Sequence, residues 1–282
     1  MTIAIDRHPI DQEIAADQGG VRPEALRRML GHARTTPKAL PSLLDWATSS
    51  FAYATAADPR AEREQTWDHL VLAAQSAAAV FALVVPDPGE PTELLIRGER
   101  ITLPATGPTT DTGPHQWLRA HDLAISVRSK GLLDILLDVP TELLRLPTSP
   151  EYLLAYVDTL KSYWRVDPAT LDALQATVDL TVPTDFAAPQ ASPAVRLYLP
   201  QMKSLYHLAT HQAADLQAAI AEGLEKHRAY WTGKDFAADP SGFIAYPLLA
   251  QATTAHSVGI TLDIDSPYLP AAIVREQHTY TP

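Results

Sequence analysis

The chain has 282 residues, a formal net charge of −11 and no cysteine. That length suits one large domain or two small ones of roughly 150 residues, enough to bury a core without a staple. The missing cysteines exclude disulfides, thiolate metal sites and cysteine nucleophiles, and the acidic balance disfavours nucleic acid as a partner.

Hydrophobic residues at 46% and charged residues at 20% exclude wholesale disorder. Asp6, Asp11, Glu13 and Asp17 interrupt any apolar run at the N-terminus, so no signal peptide is expected. Residues 70–85 form the longest apolar run, broken by Gln75 and Ser76 and too alanine-rich for a membrane span. The expectation is a soluble cytoplasmic protein with no membrane partner.

Residues 1–21 are polar, end in Gly19-Gly20 and read as a flexible arm. Residues 22–282 read as a single helical domain. Helical patterns start at Arg22-Pro23 and again at Pro37 and Pro41, where Leu40, Leu43, Leu44, Ala47 and Phe51 keep helical spacing. Residues 61–85 are apolar on nearly all sides, which predicts a helix in the centre of a bundle. A strand pair then flanks Gly98-Glu99, predicting a type II′ hairpin. Helices are expected over 115–129, 132–137, 141–146 and 150–165, and Asp167-Pro168 marks a further start. Residues 181–193 carry three prolines and read as a loop. Helices follow over 195–211, 213–231 and 243–257, then an extended stretch over 260–264. The fold class is mostly α: a multi-helix bundle or stacked helical hairpins with one small β-hairpin.

No glycine-rich phosphate loop, HExxH or GxSxG motif is present. No catalytic set is assigned, whether the chain is an enzyme stays open with the balance against, and no cofactor is called for. His207 and His211 are four apart on an expected helix and could share a metal, but lack a recognisable third ligand. No metal site is assigned. Trp117, His121, Ala124 and Arg128 fall on one helical stripe. That stripe could hold an anion or an interface anchor, or Arg128 could pair with Asp122 or Asp158 and fix helix packing. Tyr163-Trp164 and Tyr230-Trp231 each end a helix, with His227 close to the second pair. They read as a pocket or as plugs between helix layers.

Six segments carry a resemblance in order. They are WDHLVLAAQSAAAVFAL (67–83), RITLPATGPT (100–109), WLRAHDLAISVRSKGLLDILLDVPTELLR (117–145), EYLLAYVDTLKSYW (151–164), LEKHRAYW (224–231) and DPSGFIAYPLLAQATTAHSVGITLDIDSPYLP (239–270). Over about residues 40–275 the chain resembles the immunity protein 49 family of bacterial polymorphic-toxin systems. The resemblance implies a mostly helical cytoplasmic protein that binds and neutralises a cognate toxin. Its recurrent positions correspond to Trp67, Trp117, Arg128, Tyr163, Trp164, His227, Tyr230, Trp231, Gly242, Phe243, Asp265 and Tyr268. Two places depart from the pattern. An expected Arg-Asp pair reads Arg128-Ser129, and the Ser-Asp-Tyr-Leu-Pro-like turn reads Asp265-Ser266-Pro267-Tyr268-Leu269-Pro270.

Three functions follow, the last and blandest a helical scaffold subunit that self-associates without ligand or toxin. The first is stoichiometric binding of a basic toxin, steered by the acidic charge. The alternative is a small-molecule-binding protein or enzyme on the same scaffold. The candidate binding residues are Trp117, His121, Arg128, Asp158, Tyr163, Trp164, His227, Tyr230 and Trp231.

Overall fold

The computed structural model describes residues 2–181, 194–233 and 237–282. Its first helix pair is α1 (Gln12–Ala33) and α2 (Leu40–Ala57), followed by α3 (Glu64–Ala82). Ile3–Ala4 forms a short strand, β1, ahead of them. The segment read as a loose arm, 1–21, carries β1 and the start of α1 among its described residues. Asp11 caps α1 by accepting from the N–H groups of Glu13 and Ile14, each at 3.0 Å. Ala15 buries against Ala52, Tyr53 and Phe243. Leu26, Leu30 and Ala33, spaced for one helical face, join the main core.

The α3 helix is buried nearly all round, as its composition predicts. Leu70, Ala73, Ala74, Ala77 and Phe81 are fully enclosed, and α2 lies against it. The hairpin follows as β2 (Pro91–Ile96) and β3 (Glu99–Pro104). Ile96 pairs with Glu99, so the loop is Arg97-Gly98 rather than Gly98-Glu99. Both loop residues have positive φ, +52° and +74°. That is the type I′ pattern, in which glycine serves the second position. The Arg97 N–H donates to Gln75 Oε1 at 2.9 Å and ties the hairpin to α3.

The second half begins with α4 (Pro114–Ser126), α5 (Lys130–Leu137), α6 (Glu151–Trp164) and α7 (Thr170–Thr181). The expected helix over 141–146 is a 3-10 turn, Thr141–Leu144. A π-helical turn, Ala194–Tyr198, leads into α8 (Leu199–Ala209), followed by α9 (Ala213–Trp231) and α10 (Tyr246–Ser257). Of the expected loop over 181–193, Thr181 ends α7 and residues 182–193 lie outside the described residues. Helices α6 and α7 pack as a pair, as do α8 and α9. Helix α4 packs against α3, α5, α6 and α10, so its side chains meet several layers.

The last elements are β4 (Ile264–Asp265) and α11 (Ala271–Val274). Strand β4 pairs in parallel with β1, Ile3 against Ile264. The expected extended stretch over 260–264 thus gains a partner that is remote in sequence. Mostly α architecture holds, with two small strand pairs among the described residues. Among those residues no helix is long and apolar enough to cross a membrane.

Candidate functional site

Helix α4 presents Trp117 and His121 one turn apart. Their rings stack at 5.5 Å with 17° between planes. The Trp117 indole N–H donates to Leu136 O at 2.9 Å, locking α4 to the end of α5. From α6, the Trp164 Nε1–H donates to His121 Nε2 at 2.8 Å. A nitrogen that accepts carries no proton, so His121 is neutral with its hydrogen on Nδ1. That hydrogen points to Asp122 Oδ1 at 3.0 Å. Burial pushes the Asp122 carboxyl above its ordinary range, partly opposed by His121.

Lys161 completes this centre and was not singled out by its sequence pattern. Its ammonium donates to Val139 O at 2.6 Å and Thr141 Oγ1 at 2.8 Å, and lies 5.4 Å from the Trp117 ring centroid. Burial lowers its pKa to about 8, against the pull of Asp158. Asp158 itself is exposed and accepts from Thr141 Oγ1, so it touches the centre only through that hydroxyl. Tyr163 stands edge-on to Trp164 at 5.3 Å.

A second centre forms around α9 and the final turn. The His227 Nε2–H donates to Gly242 O at 2.9 Å, and its ring meets Tyr268 edge-on at 4.8 Å. Burial lowers the His227 pKa to about 4, which keeps the imidazole neutral. Trp231 packs on Gly242 so closely that a Cβ there would lie 2.4 Å from the indole. Tyr230 stands edge-on to Trp231 at 5.2 Å.

The N-terminal segment closes this centre. The Tyr268 hydroxyl accepts from the His8 N–H at 2.9 Å and lies 2.7 Å from His8 Nδ1. Arg7 donates to Thr55 O at 3.2 Å and Pro267 O at 2.5 Å. Burial lowers the His8 pKa, with Arg7 adding to the effect. Polar residues followed by a glycine pair hid these contacts from sequence reasoning. The Asp11 cap was the one local signal against a loose arm.

The two centres meet at a cavity of about 320 Å³. Asp122, Tyr198 and Gln201 line it beside His227, Trp231 and Tyr246. The Tyr246 hydroxyl is buried there without a hydrogen-bond partner among the described residues.

Arg128 stands apart from both centres. Helix α4 ends at Ser126, and Arg128 takes a left-handed backbone with φ +54°, so the expected stripe breaks before it. It pairs with neither Asp122 nor Asp158. Its guanidinium instead donates to Ile273 O and Val274 O, each at 2.7 Å, and lies 3.6 Å from Glu276. The expected histidine pair also separates. His207 Nδ1 lies 2.8 Å from Gln212 Oε1, while His211 has left the helix at φ +54°. Among the described residues no group of three His, Cys, Asp or Glu side chains is placed to hold a metal.

Helical layers pinned by internally bonded aromatic and histidine side chains define a mostly helical protein. The Immunity protein 49 family model matches residues 58–273, most of the chain, and the chain belongs to that family. No curated protein and no solved structure matches it.

Proposed function

We propose that this chain neutralises a cognate toxin domain by stoichiometric binding in the cytoplasm. The observation that carries the reading is the family match across residues 58–273. The polar chemistry supports binding over turnover. His121 is held neutral between Trp164 and Asp122, and His227 is neutral and bonded to a backbone carbonyl. General acid–base work needs a group free to exchange its proton with substrate. The net charge of −11 favours a basic toxin and electrostatic steering.

Co-expression with the toxin domain encoded beside this gene tests the reading. Rescue of growth together with a stable one-to-one complex is the expected result. Absence of both rejects it. A salt-insensitive association rate rejects the steering alone.

A second reading has one observation behind it. The 320 Å³ cavity holds a buried carboxyl, Asp122, and a buried phenol, Tyr246, that has no partner among the described residues. Those groups suit a small polar ligand. A ligand recovered from the purified protein by mass spectrometry, and lost in Tyr246→Phe, supports it.

A further inference from the structure

We infer that the open face made by the end of α6 and the start of α7 docks the toxin, a basic surface inserting one apolar side chain beside Trp164. This rests on the toxin-binding reading and adds to it a location and a partner chemistry.

The first observation is a misplaced valine. Helix α6 ends in a turn where the Val166 N–H donates to Tyr163 O at 3.1 Å and the Asp167 N–H to Ser162 O at 3.0 Å. That arrangement puts Val166 in the left-handed region, φ +56°. Glycine is the usual occupant, and a β-branched residue is among the worst. Helix α10 ends in the same turn with Gly259. Arg128 shares the strained backbone but spends its side chain on two carbonyls. Val166 has no such return: the residue is 86% exposed. Backbone strain concentrates at functional sites, and an exposed apolar group there marks a contact to be made.

The second observation is the surface beside it. An open cleft of about 430 Å³ lies between Trp164, Val166, Leu171 and His211. Leu171 is 40% exposed. A second cleft of the same volume, walled by Val258, shares Trp164 as its border. The half-buried indole therefore separates two apolar hollows, the arrangement of an interface anchor point.

The third is charge. Asp167, Asp172 and Asp179 are exposed, and Asp172 and Asp179, seven residues apart, share one face of α7. No lysine or arginine occurs between residues 166 and 195. Among the described residues none of the three acids enters an ion pair. The cations beside the two clefts are engaged: Arg165 donates to Leu137 O at 2.8 Å, Lys130 to Asp134 Oδ2 at 2.6 Å, and Arg128 to the carbonyls of Ile273 and Val274. An apolar centre with an acidic rim fits a basic partner.

The test titrates the full chain with the toxin domain encoded beside its gene, by calorimetry and by stopped-flow association at two salt concentrations. Val166→Gly should raise the melting temperature and weaken the complex about tenfold, because it relieves strain and removes the anchor. Leu171→Ala should weaken the complex by a similar factor, since it removes the second apolar contact of the face. The double variant Asp172→Asn, Asp179→Asn should slow association and flatten its salt dependence. If wild type binds and rescues while all three variants bind as wild type does, the docking face is overturned and the toxin-binding reading stands. If wild type neither binds nor rescues, that reading falls and the docking face with it. A chain that dimerises alone through this face, and loses the dimer in Leu171→Ala, overturns the assignment to the toxin.

Discussion

The Trp164 indole N–H points at Nε2 of His121 across 2.8 Å, and this single contact sets the protonation of the buried histidine. Because Nε2 accepts, the ring is neutral and its proton is committed to Asp122 on the other side. Nitrogen-15 shifts of the imidazole should therefore show a protonated Nδ1 and a bare Nε2. The substitution Trp164→Phe keeps an aromatic ring, though a smaller one, and removes the donor. It should cost about 1–2 kcal/mol in urea unfolding, because a buried acceptor is left unpaired. Unchanged stability with the opposite tautomer would show that the contact does not form.

Gly242 and Trp231 give a sharper steric case. A Cβ at position 242 would fall 2.4–2.6 Å from three indole carbons. Gly242→Ala should destabilise by about 1–3 kcal/mol, the usual cost of overpacking. Trp231→Leu in the same chain should recover part of the loss. A double-mutant cycle with zero coupling would place the clash elsewhere.

His227 makes stability depend on acid. Its folded pKa is lowered to about 4, chiefly by burial, from an ordinary value of 6.5. The unfolded chain takes up this proton near pH 6.5, and the folded chain only near pH 4. Stability is then lost as pH falls through that window, by about 3 kcal/mol for this group when the shift is converted at 1.36 kcal/mol per unit. His227→Gln retains a donor for Gly242 O but does not titrate. The wild-type chain should lose more stability than this variant between pH 7 and pH 4, measured by urea midpoints. Parallel pH profiles for the two proteins would reject the assignment.

Arg128 is both strained and engaged, and two substitutions separate those properties. Arg128→Gly relieves the left-handed backbone and removes the guanidinium, whereas Arg128→Ala removes only the guanidinium. Both should loosen the segment around Ile273 and Val274, read as faster hydrogen exchange there. The alanine variant should be the less stable by about 1–2 kcal/mol, the left-handed penalty for a residue with a Cβ. Equal stability would show that the turn relaxes without the arginine.

Much of the fold was legible because its signals are local. The all-round apolar composition of residues 61–85 predicts a central helix, and α3 is one. The hairpin was legible as two strands, but its register was not. Arg97-Gly98 and Gly98-Glu99 both supply a glycine, and cross-strand pairing chooses between them. The aromatic pairs at the ends of α6 and α9 were visible as pairs, while their histidine partners depended on which helices meet. His121 lies 43 residues from Trp164, and no sequence period links them.

Composition and periodicity alone determined a mostly helical chain with an acidic charge and a central alanine-rich helix. These are properties of short windows, where side-chain spacing and backbone preference act without knowledge of the rest of the chain. Tertiary structure alone decided that Arg7 and His8 close the centre built around Tyr268, 260 residues away. It also decided that Arg128 clamps the carbonyls of Ile273 and Val274 rather than an acid. Buried polar atoms take whichever partners packing brings within reach, and that choice is made only when distant segments meet.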